Sequence, residues 1–146
     1  MVTGSTTRYD QDFALWVAEN IALLKAKNYD AVDWDHLIEE VEGLTRSDKR
    51  ELENRLITLF EQALKRRYLA LPDCYRGWEG TLTRTQQRLE QILRDSPSLR
   101  NYLLEIMEKC YQNALKNMRK EYDVMFPDCL PFPEELDQLL STDFWQ

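Results

Sequence analysis

The chain has 146 residues, 43% apolar and 11% aromatic, with a formal charge of -7. So many apolar side chains exclude a disordered polymer, because their burial offsets the entropy of ordering the chain. The 4 Gly and 5 Pro are too few for the turns of an all-β fold, and the acidic balance repels phosphate backbones and anionic membranes.

The opening MVTGSTTRYD lacks the apolar core of a signal peptide, and no run approaches a membrane-spanning length. Residues 1–8 are expected to be loosely ordered, and the protein to be cytoplasmic. Phe13, Trp16, Val17, Ile21 and Leu24 recur at helical spacing, with Asp10 or Asp12 near the start. Asn28-Tyr29-Asp30 breaks this first helix. A short second helix follows, capped by Asp33 and closed by Gly43.

Thr45-Arg46-Ser47-Asp48 then opens a long third helix running to about Leu69. Leu52, Leu56, Leu59, Phe60 and Ala63 form one stripe, and Ile57, Leu64 and Tyr68 widen it to nearly half the circumference. A helix that apolar must be packed on two sides, so it belongs in the centre. After the turn Leu71-Pro72-Asp73, a fourth helix around residues 74–95 shows a narrow stripe of Trp78, Leu82, Leu89, Ile92 and Leu93, which suits a peripheral position. Ser96-Pro97 is a start signal for a fifth helix. Its broad apolar face carries Leu99, Leu103, Ile106, Met107, Cys110, Ala114 and Met118.

Beyond Asp123 the prolines of Phe126-Pro127, Leu130-Pro131 and Phe132-Pro133 impose an extended strap. A short helix with Leu136, Leu139 and Leu140 follows it, and then Phe144-Trp145. This tail is acidic, yet its many large apolar groups call for burial. It is expected to dock back on the helices with carboxylates near Lys65, Arg66, Arg67, Arg84 or Arg88. The expected architecture is all-α: a single domain over residues 9–146, a bundle of five to six helices with a C-terminal strap packed on it. Cys74, Cys110 and Cys129 form no CxxC pair, and each is expected to be a small buried hydrophobe.

Residues 33–42, DWDHLIEEVE, place five acids around the only histidine. On a helical wheel Trp34, Leu37, Ile38, Val41 and Leu44 share one face, while His36, Glu39 and Glu40 lie opposite, on the face expected to point to solvent. The order of ligands fits neither H-x-x-E-H nor the Glu-x-x-His pairs of di-iron bundles. A solvated acidic face is the favoured reading, and a weak divalent-cation site at His36, Glu39 and Glu40 the alternative. No G-x-S-x-G elbow, phosphate loop or Arg-then-His ribonuclease motif occurs, and no cofactor or resident metal is expected.

Charge is uneven along the chain. Residues 65–94 carry Lys65, Arg66, Arg67, Arg76, Arg84, Arg88 and Arg94 against Asp73, Glu79 and Glu90, a net +4 that leaves -11 elsewhere. Residues 121–146 hold seven acids and no Lys or Arg. The candidate anion-facing patch is Lys65, Arg66, Arg67, Arg84 and Arg88; covering of the same residues by the acidic tail is the favoured reading.

The stretch YDQDFALWVAENIALLKAKNYDAVDWDHLIEEVEGLTRSDKRELENRL resembles the bacterial "domain of unknown function 29" family, which is expanded in cyanobacteria. The likeness rests on Tyr9-Asp10, Asp12-Phe13, Trp16, Asp33-Trp34, Leu37-Ile38-Glu39-Glu40, Arg46-Ser47 and Arg50-Glu51-Leu52. It continues through Leu56, Trp78, Asp95-Ser96-Pro97-Ser98-Leu99 and Asp143-Phe144-Trp145, and so covers the chain from about residue 8. It implies an all-helical single domain without an established activity. The family motif groups Trp34, Glu39, Glu40 and Arg46, making these with His36 a candidate surface; a structural version has Trp34 anchoring the helix and a glutamate pairing with Arg46 or Arg50. The function expected is a non-enzymatic protein-protein interaction or regulatory module, engaging a protein partner or itself. A nucleic-acid-associated protein using residues 65–94 is the alternative.

Overall fold

The computed structural model describes residues 8–146, so the expectation for residues 1–7 lies outside the described residues, while Arg8 already begins a helix. The fold is an all-α helical bundle. Its helices are α1 (Arg8–Gln11), α2 (Phe13–Lys25), α3 (Trp34–Tyr68), α4 (Pro72–Asp95), α5 (Leu99–Glu121) and α6 (Leu136–Ser141). No strand occurs among the described residues. The chain forms two compact units, the first ending at Arg46 and the second spanning Ser47–Gln146.

In the first unit Asp12 caps α2, its carboxylate accepting from the Leu15 amide at 3.1 Å. The helix ends where Lys27 turns to a φ of 60°, and the amides of Lys27 and Asn28 bond back to the Leu24 and Leu23 carbonyls. A 3-10 turn at Tyr29–Ala31 then leads into α3. The expected break at Gly43 does not occur, and α3 runs for 35 residues. A glycine stops a helix by adopting the left-handed conformation, and Gly43 keeps helical backbone instead. Its helical cost of about 1 kcal/mol is small beside the hydrogen-bond ladder that continues through it and the buried packing of α3 from Leu52 onward.

The second unit is built around Leu52, Leu56, Leu59, Phe60, Ala63 and Leu64 of α3, all fully buried. Leu103, Ile106, Cys110, Tyr111 and Ala114 of α5 join the same core, as do Leu82, Leu89, Ile92 and Leu93 of α4. The apolar stripes expected on the third and fifth helices are thus buried at Leu56, Leu59, Phe60, Ala63, Leu103, Ile106 and Cys110. Phe60 packs edge-on to Tyr111 at 5.8 Å and stacks on Phe132 of the strap at 6.0 Å. Two helix starts differ from expectation. Pro72 lies inside the first turn of α4 rather than before it, and a turn at Ser96–Ser98 precedes α5.

The strap docks, burying Phe126, Phe132, Leu136, Leu139, Leu140, Phe144 and Trp145. The docking chemistry departs from the expected pairing of tail carboxylates with residues 65–94. Arg67 donates to the carbonyls of Pro131 at 3.1 Å and of Phe144, with longer contacts to Trp145 and Gln146 at 3.4 Å, and lies 4.9 Å over the Phe132 ring. Gln86 of α4 donates to the carbonyls of Leu139 and Thr142, both at 2.9 Å. The carboxylates that do pair find α5 instead: Asp128 with Arg119 at 2.5 Å and Asp137 with Arg100 at 3.2 Å. An irregular strap exposes carbonyls that must be satisfied wherever it is buried, and a guanidinium with five donors suits that task better than it suits one carboxylate.

Only Cys110 is buried; Cys74 and Cys129 are exposed, against expectation. Cys74 falls on the outer side of the first turn of α4 and Cys129 on the outer side of the strap, where no core is available to a small side chain. Burial pushes the Cys110 thiol up to about 12, which keeps it protonated and unreactive.

Candidate functional site

The face of α3 around His36 is arranged opposite to expectation. His36 stacks on the Tyr9 ring of α1 at 3.9 Å and meets Trp16 of α2 edge-on at 6.4 Å. The Tyr9 hydroxyl donates to Glu40 at 2.6 Å. His36 and Glu40 therefore turn toward α1 and α2, while Trp34, Ile38, Val41 and Leu44 point outward, 44%, 53%, 57% and 68% exposed. The wheel separates the two faces correctly. What it cannot show is that the inner contact of this unit consists of aromatic rings and hydrogen bonds rather than aliphatic packing.

Asp33 organises that contact. Its Oδ2 accepts from Trp16 Nε1 at 2.8 Å and from His36 Nδ1 at 2.7 Å. An ionised carboxylate only accepts, so the shared proton sits on Nδ1 of His36. The Asp33 amide donates to the Asn20 side-chain oxygen at 2.8 Å, and the buried Asn20 amide donates to the Trp16 carbonyl at 2.9 Å. The hydrogen bond to Asp33 holds the His36 pKa above its ordinary 6.5 against the opposing effect of burial. For Asp33, burial works upward, but the bonds from His36 and Trp16 prevail and its pKa is lowered. Tyr9 is pushed up to about 12, first by its bond to Glu40.

A histidine oriented by an aspartate has the form of a general base. Among the described residues, however, no hydroxyl or thiol is hydrogen-bonded to His36. No group of three or more His, Cys, Asp or Glu side chains is placed to hold a metal ion among the described residues. Glu40 is engaged by Tyr9, and Glu39 lies on the exposed side. Arg46 and Arg50 form no ion pair among the described residues, so the expected glutamate pairing is replaced by the Tyr9–Glu40 bond. Trp34 anchors locally, donating from Nε1 to the Tyr29 carbonyl at 2.8 Å while its ring stays open to solvent. Sequence reasoning missed Tyr9, Trp16, Asn20 and Asp33 as parts of one network, because they lie on three separate helices and turns.

The basic residues do not form one open face. Arg66 pairs with Glu79 at 2.6 Å and lies 4.0 Å over the Tyr75 ring; Lys65 lies 5.5 Å over Trp78. Arg88 grips Glu51 through two bonds of 2.6 and 2.7 Å, which lowers the Glu51 pKa. Arg67 serves the strap. Arg84 is the looser member, reaching only Thr81 at 3.4 Å. A cavity of about 360 Å³ in the second unit, lined by Leu93, Arg94, Pro97, Arg100, Asp137 and Leu140 among others, balances its cations with Glu90 and Asp137.

The family model "Domain of unknown function DUF29" matches residues 8–145. The chain belongs to this family. The match takes in Tyr9, Trp16, Asp33 and Glu40 together with the strap up to Trp145, so the DUF29 domain covers both compact units. No curated protein and no solved structure matches the chain. No helix among the described residues of this DUF29 protein is long and apolar enough to cross a membrane.

Proposed function

We propose that this protein is a non-enzymatic protein-protein interaction or regulatory module of the bacterial cytoplasm, with residues 9–146 acting as one functional domain. The outward stripe of Trp34, Ile38, Val41 and Leu44 carries the reading. Four large apolar groups on one helix face forgo burial, and a contiguous apolar patch of this kind marks an interaction surface. The candidate residues divide accordingly: Trp34 belongs to the surface, His36 and Glu40 to the framework that holds α3 against α1 and α2, and Glu39 and Arg46 border the stripe. Three free cysteines suit a reducing compartment.

The nucleic-acid alternative is weakened by the engagement of Arg66, Arg67 and Arg88 in contacts within the chain. A cation site at His36, Glu39 and Glu40 is weakened by the bonds His36 and Glu40 already make. The test compares the wild type with Ile38→Ser/Val41→Ser by light scattering and by capture from a lysate of the source organism. A bound species or a self-associated form that the double variant loses supports the reading. A strict monomer whose captured set is unchanged by the variant refutes it.

A further inference from the structure

We infer that the outward stripe of α3 docks an amphipathic α-helix of basic character. This rests on the interaction-module reading and names its partner.

Trp34, Ile38, Val41 and Leu44 follow one another at steps of four, three and three residues. That spacing is the anchor pattern by which one helix lies along another. At about 1.5 Å per residue the anchors extend over roughly 15 Å, the reach of about three helical turns.

The border of the stripe decides the partner's charge. On the helical wheel Asp35, Glu39 and Glu42 line one edge with Arg46 as the single cation among them, a net -2, and all four are exposed and form no ion pair among the described residues. Residues 8–46 carry nine acids against four Lys and Arg, a net -5 with His36 neutral, so the field around the stripe is negative as well. Lysines or arginines flanking the apolar face of an incoming helix would meet this edge.

The same edge opposes the other occupants. In an antiparallel two-fold pair of stripes, this edge would face its own symmetry mate, six carboxylates with only two Arg46 guanidiniums among them, a net repulsion. Anionic lipid and nucleic acid are repelled by the same charge. A helix bearing lysine or arginine beside its leucines satisfies both the apolar face and the edge.

Three labelled peptides of about 15 residues serve as probes on the full chain, read by fluorescence anisotropy. One is a helical leucine–lysine peptide, one has every lysine replaced by glutamate, and one is the lysine peptide scrambled to break its apolar face. The lysine peptide should bind at least tenfold more tightly than either other. Ile38→Ser/Val41→Ser should weaken it at least tenfold, and Asp35→Asn/Glu39→Gln/Glu42→Gln severalfold, with a flatter salt dependence. All five positions are exposed, and an unchanged circular-dichroism melt shows that each variant folds. Equal binding of the glutamate or scrambled peptide, or self-association through the stripe, overturns the basic partner while leaving the module reading intact. Binding and association that ignore Ile38→Ser/Val41→Ser overturn both.

Discussion

Replacing Arg67 with methionine keeps an apolar stem but removes every donor that ties the strap to α3. In the wild type the guanidinium bonds the Pro131 carbonyl at 3.1 Å and the Phe144 carbonyl, with weaker contacts to Trp145 and Gln146 at 3.4 Å. A hydrogen bond to a charged group contributes about 1.5–3 kcal/mol. Two good ones, taken at the low end because the side chain is partly exposed, give about 3 kcal/mol. The longer contacts add little. The position over the Phe132 ring adds about 0.5 kcal/mol or more. The expected loss is therefore about 3 kcal/mol, or a drop in Tm of roughly 12 °C at about 4 °C per kcal/mol for a chain of this size. Arg84→Met is the internal control, because Arg84 has only a 3.4 Å contact with Thr81 and its loss should stay within about 0.5 kcal/mol. Urea unfolding followed by circular dichroism measures both, with Arg67→Lys included to show that an ammonium cannot reproduce the fork. If Arg67→Met and Arg84→Met lose equally little, the carbonyls of the strap do not depend on Arg67 and the clamp is wrong.

Leu59→Ala, at a fully buried position, should cost about 2–5 kcal/mol in denaturant titration; below about 1 kcal/mol, α3 would not be the centre of the second unit. Truncation after Asp123 removes seven buried apolar side chains and should lower the melting temperature and raise ANS binding; an unchanged melt would make the strap dispensable. The His36–Asp33 bond stabilises most between the unfolded values of the two groups, 3.8 and 6.5. Its contribution from His36 is complete below 6.5 and fades as pH rises through the raised folded value, while that from Asp33 is lost as pH falls through its lowered one. An NMR titration should place the His36 midpoint above 6.5, and Asp33→Asn should lower it; equal midpoints would refute the tie.

The sequence by itself determined the all-α class, the family and the buried seam of the second unit. Those follow from local rules, because a period of 3.6 residues and a broad apolar stripe can be read without knowing what lies opposite. Leu56, Leu59, Phe60 and Leu103 were legible for that reason. Only the tertiary structure decided which face of α3 turns inward near His36. The deciding partners, Tyr9, Trp16 and Asn20, stand far away in sequence and bind through rings and hydrogen bonds that no apolar period encodes. The continuity of α3 through Gly43 was hidden too, since a glycine ends a helix only if its neighbours allow the left-handed turn. The fate of the basic residues depended likewise on geometry. Charge counting sees a cation and a carboxylate, whereas the buried strap of Phe132 and Phe144 leaves carbonyls to be satisfied, and those are what Arg67 and Gln86 bind.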